Sequence, residues 1–150
     1  KTSGETTHLT SMDAHGNMVA LTQSIERVYG SCALSPELGF IYNNYMTAFE
    51  FEDISHPYYL RPNAVPWASV LPSVLFRGQR PYLALGSPGS ERISSTVLQV
   101  LIRLLVDQDL PLDAVTAPRL HCSAKGKVDP IHHRARVMSV TISSITARRY

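Results

Sequence analysis

The first half of the chain consists of short runs of Thr, Val and Leu that are separated by polar turns. Two of these runs, Thr6–Met12 and Met18–Ile25, flank the loop Asp13–Asn17. Asp, Gly and Asn in a short loop between two β-prone runs are typical of a hairpin turn. The pattern therefore predicts a β-hairpin at residues 6–25.

The middle of the chain predicts further strands around an irregular segment. Gly39–Asn44 is typical of a strand that enters a turn, whereas residues 50–68 hold three prolines and predict an irregular loop that covers another part of the molecule. Val74–Phe76 and Tyr82–Leu85 flank Arg77–Arg80, which indicates a second hairpin.

Helical periodicity begins after Gly86–Ser90, where glycine and proline interrupt the pattern. Glu91–Asp107 predicts a long helix, and its apolar positions cover so much of the circumference that we expect burial on more than one side. Leu112–Thr116 predicts a second, short helix. Val137–Ile145 is consistent with one more strand, but residues 124–136 show no clear period. Strands followed by a buried helix indicate a layered α+β domain.

Composition limits the class of protein. The chain has 150 residues, 44% hydrophobic and 17% charged, which fits a single globular domain over residues 1–150. A net charge of +2, with a basic stretch only around His132–Arg136, is too weak to indicate a nucleic-acid partner. No run reaches the roughly 18 apolar residues that a membrane span needs. No signal peptide opens the chain, so we expect any targeting signal to lie on a segment outside it.

Cysteine and histidine indicate neither a disulfide framework nor a metal site. Cys32 and Cys122 lie too far apart in sequence for CxxC chemistry, and we expect two small buried or half-buried thiols. His132 and His133 are adjacent, so they would project in different directions from a helix or a strand. The sequence therefore predicts no bound metal and no cofactor.

The clearest candidate for chemistry is Thr6. If the chain were cleaved after Glu5, Thr6 would carry a free α-amine beside its hydroxyl, and such an amine has a pKa of about 7.7–8.0. It could act as the general base that a threonine hydroxyl needs at neutral pH. The alternative is that Thr6 is one more strand threonine. Likewise Thr7 and His8 could simply support the strand that presents it.

Six short motifs in register identify a family. They are Thr6-Thr7-His8, Asp13-x-x-Gly16-Asn17, Gly39-x-x-x-Asn43-Asn44-x-Met46, Gly86-Ser87-Pro88-Gly89, Val97-Leu98-Gln99 and Ala117-Pro118-Arg119-Leu120-His121. Their order and spacing resemble the small subunit of γ-glutamyltranspeptidases, over roughly residues 5–121. The resemblance implies an N-terminal-nucleophile hydrolase with a four-layer αββα sandwich.

The same resemblance implies partners and a compartment. Members of the family are made as a precursor that cuts itself before the catalytic threonine. We therefore expect a large subunit from the same precursor to complete both the fold and the pocket. A small-molecule or peptide amide would be the substrate, and the protein would be secreted, periplasmic or on the cell surface.

The resemblance also assigns catalytic residues. Thr6 corresponds to the nucleophile, and Ser24 corresponds to a threonine that hydrogen-bonds it. Gly89 and Ser90 correspond to an oxyanion-hole pair that is normally two glycines. Backbone N–H groups that enter a helix can stabilise an oxyanion, and loss of one such donor typically costs about 2.7–4 kcal/mol of barrier. The alternative for Ser90 is that it only caps the helix.

The substrate pocket departs from the family pattern. Asn44, Tyr45 and Ser69 fall at substrate-binding positions. However, Ala48 replaces the acid that binds the substrate's α-amino group, and Ala68-Ser69 replaces a Ser-Ser pair that contacts the α-carboxylate. Glu26 stands where many members have asparagine and resembles the capsule depolymerase branch; the alternative is a surface strand residue.

Both ends of the sequence also bear on activity. Residues 1–5 precede Thr6, so we expect either an unprocessed chain or a retained piece of the preceding segment. The family's Asp-Pro-Arg segment near its C-terminus has no counterpart here. Three hypotheses follow: an amide hydrolase or acyltransferase with an altered donor pocket, a catalytically silent homologue that acts as a structural or interaction subunit, and a cephalosporin-acylase-like hydrolase with a more apolar pocket.

Overall fold

A computed structural model describes residues 5–123, 126–131 and 139–142. Two α-helices and nine strands lie in these ranges, together with 3-10 turns at Tyr45–Ala48 and Ser90–Arg92. The strands are β1 (Thr6–Met12), β2 (Met18–Ser24), β3 (Leu34–Ser35), β4 (Phe40–Ile41), β5 (Ser73–Arg77), β6 (Arg80–Gly86), β7 (Arg119–Cys122), β8 (Val128–Ile131) and β9 (Ser139–Ile142), and the helices are α1 (Ile93–Leu105) and α2 (Pro111–Thr116).

The predicted first hairpin is confirmed. Strands β1 and β2 pair antiparallel over their whole length, from Thr6 opposite Ser24 to Met12 opposite Met18. The Asp13 carboxylate closes the turn, because it accepts hydrogen bonds from the backbone N–H groups of His15 and Asn17. Alternate residues of both strands are half-buried. The hairpin therefore has an inner face and an outer face.

The second predicted hairpin is also confirmed and forms the centre of the domain. Strands β5 and β6 pair antiparallel, and β9 adds on the other side of β6, in the order β5-β6-β9. Leu83 and Leu85 of β6 belong to a core with Val97 and Val100 of α1. Because successive residues of a strand face opposite sides, Ala84 and Gly86 point the other way, toward the hairpin.

The hairpin and the helix thus lie on opposite faces of the central sheet. Thr10 of β1 forms a hydroxyl–hydroxyl hydrogen bond with Thr141 of β9, and Thr141 lies opposite Ala84. The described residues form three layers: the β1–β2 hairpin, the sheet β5-β6-β9, and α1 with α2. They define a mixed α/β unit, and the four-layer αββα sandwich stays a prediction.

The prediction that the long helix is buried on more than one side is wrong for this chain. Ile93, Thr96, Val97 and Val100 are buried on one stripe of α1. Elsewhere on the helix Leu98, Ile102 and Leu105 are 58%, 44% and 45% exposed. The α-helix is also two residues shorter at each end than the predicted range, since a 3-10 turn precedes it.

Other parts of the chain confirm or correct the sequence pattern. Residues 50–68 form no helix or strand beyond one isolated bridge, as predicted. The region around 124–136, which has no clear period, contains β8 paired with β7. Strand β9 falls within the predicted Val137–Ile145. Cys32 and Cys122 are both exposed, so the expected burial of their thiols is wrong.

Some sequence predictions lie outside the described residues. These are the basic stretch His132–Arg136 and most of the segment that precedes Thr6, residues 1–4. Within the described ranges no three His, Cys, Asp or Glu side chains gather as a metal site would require. No helix in the described part of the chain has the length and apolar character of a transmembrane segment.

Candidate active site

Thr6 lies at the first position of β1, on the inner face of the hairpin. Its hydroxyl donates a hydrogen bond to the hydroxyl oxygen of Ser24, 3.0 Å away, on the facing strand. The backbone extends this pairing by one residue, because the Ile25 N–H donates to the Glu5 carbonyl at 3.2 Å. The structure therefore brings together the two residues that the sequence pairs, next to the Glu5–Thr6 peptide bond.

Ser24 also organises the turn that follows β2. Its Oγ accepts a second hydrogen bond, 3.0 Å long, from the backbone N–H of Glu26. Glu26 is half-buried and has a positive φ of 73°. A non-glycine residue in the left-handed region costs about 1–3 kcal/mol and often marks a functional turn. Glu26 lies beyond the end of β2, so the alternative of a surface strand residue is wrong.

Asn44 holds the same turn from the other side. Its side-chain oxygen accepts from the Arg27 N–H at 3.2 Å, and its own N–H donates to the Ile25 carbonyl at 3.4 Å. Asn44 is thus placed beside Glu26, and its amide oxygen is already engaged with the backbone. Tyr45 and Ala48 follow as the two ends of the 3-10 turn.

A groove of about 460 Å³ lies beside Ser24 and is the nearest candidate for a substrate pocket. Tyr45 lines it, and most of the remaining wall is aliphatic. The full lining is Leu21, Thr22, Gln23, Ser24, Tyr45, Val65, Pro66, Ala68 and Val70. Ser69 lines a different cavity, with Glu91 and Ser95, so the structure does not bring Ser69 together with Ser24 and Tyr45 in one groove.

Gly89 and Ser90 form the junction between β6 and the helical segment. Gly89 has a φ of 146° and Ser90 a φ of 54°. Gly89 precedes the 3-10 turn and Arg92 precedes α1, so Ser90 caps neither helix. The first N–H groups of a helical segment have no intrahelical acceptor, which makes this junction a suitable donor site for an anionic oxygen.

His8 also lies on the inner face of the hairpin. The sequence predicted no role for it beyond support of the strand that presents Thr6. Its Nδ1 lies 2.7 Å from the Thr22 hydroxyl on the facing strand. Its ring covers Gly86, the last residue of β6, so closely that a Cβ atom there would overlap it. Burial lowers the pKa of His8 below its ordinary value of 6.5, which favours the neutral imidazole.

A second group that sequence reasoning missed fastens β7 to α1. The Gln99 amide donates to the Leu120 carbonyl at 2.6 Å and accepts from the Leu120 N–H at 2.9 Å. His121 is buried and its Nδ1 lies 3.0 Å from the Ser95 hydroxyl. The signal for this contact in the sequence is the pair of motifs Val97-Leu98-Gln99 and Arg119-Leu120-His121, because hydrogen bonds join the two motifs directly in the structure.

Comparison with known proteins identifies the family. The family model for γ-glutamyltranspeptidase matches residues 1–148. The glutathione hydrolase proenzyme of Bacillus subtilis strain 168 is 35% identical over 125 residues, which cover 83% of this chain and 21% of that protein. The acylase ACY 1 proenzyme of Pseudomonas sp. strain V22 is 36% identical over 121 residues, 79% of this chain and 21% of that protein.

Solved structures agree with the sequence comparison. A γ-glutamyltranspeptidase from Pseudomonas nitroreducens, complexed with L-DON, superposes with a TM-score of 0.73 at 28% identity, over 79% of this chain and 66% of that chain. The T380A mutant of the Helicobacter pylori γ-glutamyltranspeptidase gives 0.71 at 25% identity, over 92% and 98%. Like these proteins, the chain has an N-terminal-nucleophile hydrolase type of fold. It belongs to the γ-glutamyltranspeptidase family and corresponds to the small-subunit region.

The relatives are enzymes that are made as proenzymes. This chain spans about a fifth of their length, 21% of each of the two curated relatives above. The roles of Thr6, Ser24, Gly89 and Ser90 remain predictions, as do those of Glu26, Asn44, Tyr45 and Ser69.

Proposed function

We propose that this chain is the nucleophile-bearing part of a γ-glutamyltranspeptidase-like amide hydrolase or acyltransferase. The observation that carries the proposal is the 3.0 Å hydrogen bond from the Thr6 hydroxyl to Ser24, directly after the Glu5–Thr6 bond, in a member of this family. Cleavage of that bond frees the α-amine of Thr6. The amine then acts as general base for the adjacent hydroxyl.

The reaction proceeds through an acyl-enzyme. As Thr6 Oγ1 attacks the amide carbonyl, the α-amine takes the hydroxyl proton and then passes it to the leaving amine when the C–N bond breaks. Water or a second amine next attacks the ester and regenerates the Thr6 hydroxyl. The backbone N–H groups of Gly89 and Ser90 stabilise the oxyanion in both steps.

Ser24 orients the nucleophile in this scheme. The hydrogen bond to Ser24 Oγ holds the Thr6 side chain in place, and once the α-amine is free the hydroxyl hydrogen rotates toward it, so that the amine can take the proton as Oγ1 attacks. The hydrogen bond from Glu26 N–H fixes Ser24 in turn. A large subunit from the same precursor completes the pocket, and the mature protein is secreted, periplasmic or on the cell surface.

The substrate differs from an ordinary γ-glutamyl donor. Glu26, Asn44 and Tyr45 are the proposed substrate contacts near Ser24, and Ser69 is a proposed contact from the neighbouring cavity. Ala48 offers no carboxylate to an α-ammonium group. The groove beside Ser24 is largely aliphatic, with Leu21, Val65 and Val70 in its wall. This lining, together with the 36% identity to an acylase proenzyme, favours an acyl group whose recognition depends little on an α-ammonium.

A matched pair of chromogenic amides tests the proposal. γ-Glutamyl p-nitroanilide and glutaryl p-nitroanilide differ only in the α-ammonium group, so the ratio of their kcat/KM values measures its recognition. We expect the mature heterodimer to hydrolyse both at similar rates. Absence of turnover with either, in a processed and folded preparation, would favour the catalytically silent homologue instead.

Ala48→Asp is expected to restore preference for the γ-glutamyl compound. A charged hydrogen bond contributes about 1.5–3 kcal/mol, so the ratio of kcat/KM values should rise by about 10- to 100-fold. Ala14→Asp adds the same charge at the exposed hairpin turn and should leave the ratio unchanged. An unchanged ratio in Ala48→Asp would contradict the assignment of this position to the ammonium site.

A further inference from the structure

We propose that His8 is a positioning residue, whose ring packs against Gly86 and sets the distance between the strand that carries Thr6 and the loop that carries Gly89 and Ser90. The inference rests on the proposed function, because it concerns the spacing of the proposed nucleophile and the proposed oxyanion donors. It concerns a contact between β1 and β6 and adds no proton-transfer step.

The contact requires glycine at position 86. A Cβ atom there would overlap the imidazole, with Nε2 only 2.6 Å away. Gly86 is buried, and its φ is not in the positive region that favours glycine. Its backbone conformation is therefore open to any residue, and the reason for glycine is the space that the His8 ring occupies.

The ring is fixed from a second side. Its Nδ1 lies 2.7 Å from the Thr22 hydroxyl, and Thr22 is the cross-strand partner of His8. The Nε2 atom is buried and has no hydrogen-bond partner among the described residues. A ring held by Thr22 and Gly86, with its free nitrogen shielded, suits a spacer better than a proton carrier.

The contact between His8 and Gly86 joins the two segments that carry the proposed site, which are the start of β1 with Thr6 and the junction after β6 with Gly89 and Ser90. His8 follows Thr6 by two residues on the same face of β1, about 6.6 Å along the strand. Gly86 precedes Gly89 by three residues, at the end of β6. A shift of about 1 Å between reacting groups can cost about 100-fold in rate, so this contact is close enough to govern the geometry of catalysis.

A double-mutant cycle in the full-length proenzyme tests the inference, with kcat and KM for γ-glutamyl and glutaryl p-nitroanilide as readouts. Gly86→Ala should lower kcat by about 100-fold with a much smaller change in KM, because spacing matters most in the transition state. His8→Ala combined with Gly86→Ala should recover kcat by at least about tenfold over Gly86→Ala alone, since the methyl group then has room.

Two further variants separate spacing from general stability. His8→Phe keeps a planar ring over Gly86 and should retain kcat better than His8→Ala. His15→Ala removes an exposed histidine from the turn of the same hairpin and should behave as wild type. Thermal unfolding of each processed heterodimer shows whether a loss of kcat exceeds what instability explains.

The outcomes distinguish this inference from the proposed function. An active wild type with additive effects of the two substitutions, or with losses of kcat that follow the unfolding temperature, overturns the positioning role alone. A wild-type protein that is folded but neither cleaves itself nor turns over the anilides overturns the proposed function, and the positioning role with it.

Discussion

At the scale of single residues, two residues of the proposed active site have a strained backbone conformation. Glu26 and Ser90 both adopt positive φ although neither is glycine, with values of 73° and 54°. At Ser90 the family pattern has glycine, which reaches this region without steric cost. Serine keeps the backbone N–H that an oxyanion would need, so the strain does not remove the donor. The sequence showed that serine replaces a family glycine here, and the structure adds that the φ of Ser90 is positive.

Ser90→Gly is expected to stabilise the protein while preserving turnover. Relief of the left-handed strain is worth about 1–2 kcal/mol, and the greater freedom of glycine in the unfolded chain offsets about half of it. The unfolding temperature should therefore rise by a few degrees, and kcat should stay within about threefold because the N–H group remains.

Ser94→Gly is the matched control, since it makes the same chemical change at an exposed position of α1. It should lower the free energy of unfolding by about 0.5 kcal/mol, because glycine is less favourable than serine in a helix. A lower unfolding temperature for both variants would contradict the assignment of strain to Ser90.

At the scale of secondary structure, the local sequence pattern predicted the β1–β2 and β5–β6 hairpins but not the strands β7 and β8 or the contacts between distant segments. The β1–β2 hairpin follows from its turn chemistry, and the Asp13 side chain closes that turn as expected. Strands β7 and β8 have only four residues each, and β8 contains Pro130, so they carry little periodic signal. The contact of His8 with Gly86 joins segments that lie 78 positions apart in the sequence, and no local rule reports it.

At this scale Gln99 is open to test, because its side chain forms two hydrogen bonds between α1 and β7 and a third within α1. Besides its two bonds with Leu120, its amide donates to the Ser95 carbonyl at 2.8 Å. Gln99→Ala leaves these backbone groups to water and should reduce the free energy of unfolding by about 1–2 kcal/mol.

Differential scanning calorimetry of the proenzyme measures this effect. Gln79→Ala, in the exposed β5–β6 turn, is the matched control and should change the unfolding temperature little. Equal unfolding temperatures for the two variants would show that the Gln99 amide does not fasten β7 to the helix.

At the scale of the whole molecule, several large apolar side chains of the described residues lie at the surface. Leu9, Val19 and Leu21 lie on the outer face of the hairpin and are 46%, 56% and 47% exposed. We interpret this face as the surface that the proposed large subunit covers.

The same interpretation explains the error in the prediction for α1. A helix that is apolar around most of its circumference is expected to be buried on several sides. Leu98 and Ile102 are apolar but lie on the side that this chain leaves exposed. The hydrophobic pattern of a sequence indicates which positions are buried in the complete assembly. It does not indicate whether the surface that buries them belongs to the same chain.

The central claim is that Thr6 becomes an N-terminal nucleophile, and intact-mass spectrometry of the purified full-length proenzyme over time tests it most directly. We predict two fragments, with Thr6 at the N-terminus of the smaller one. Thr6→Ala should stay whole, whereas Thr7→Ala, at the exposed neighbouring position, should cleave. A correctly folded wild-type proenzyme that stays intact, or one that is cut equally well after Thr6→Ala, would contradict the account.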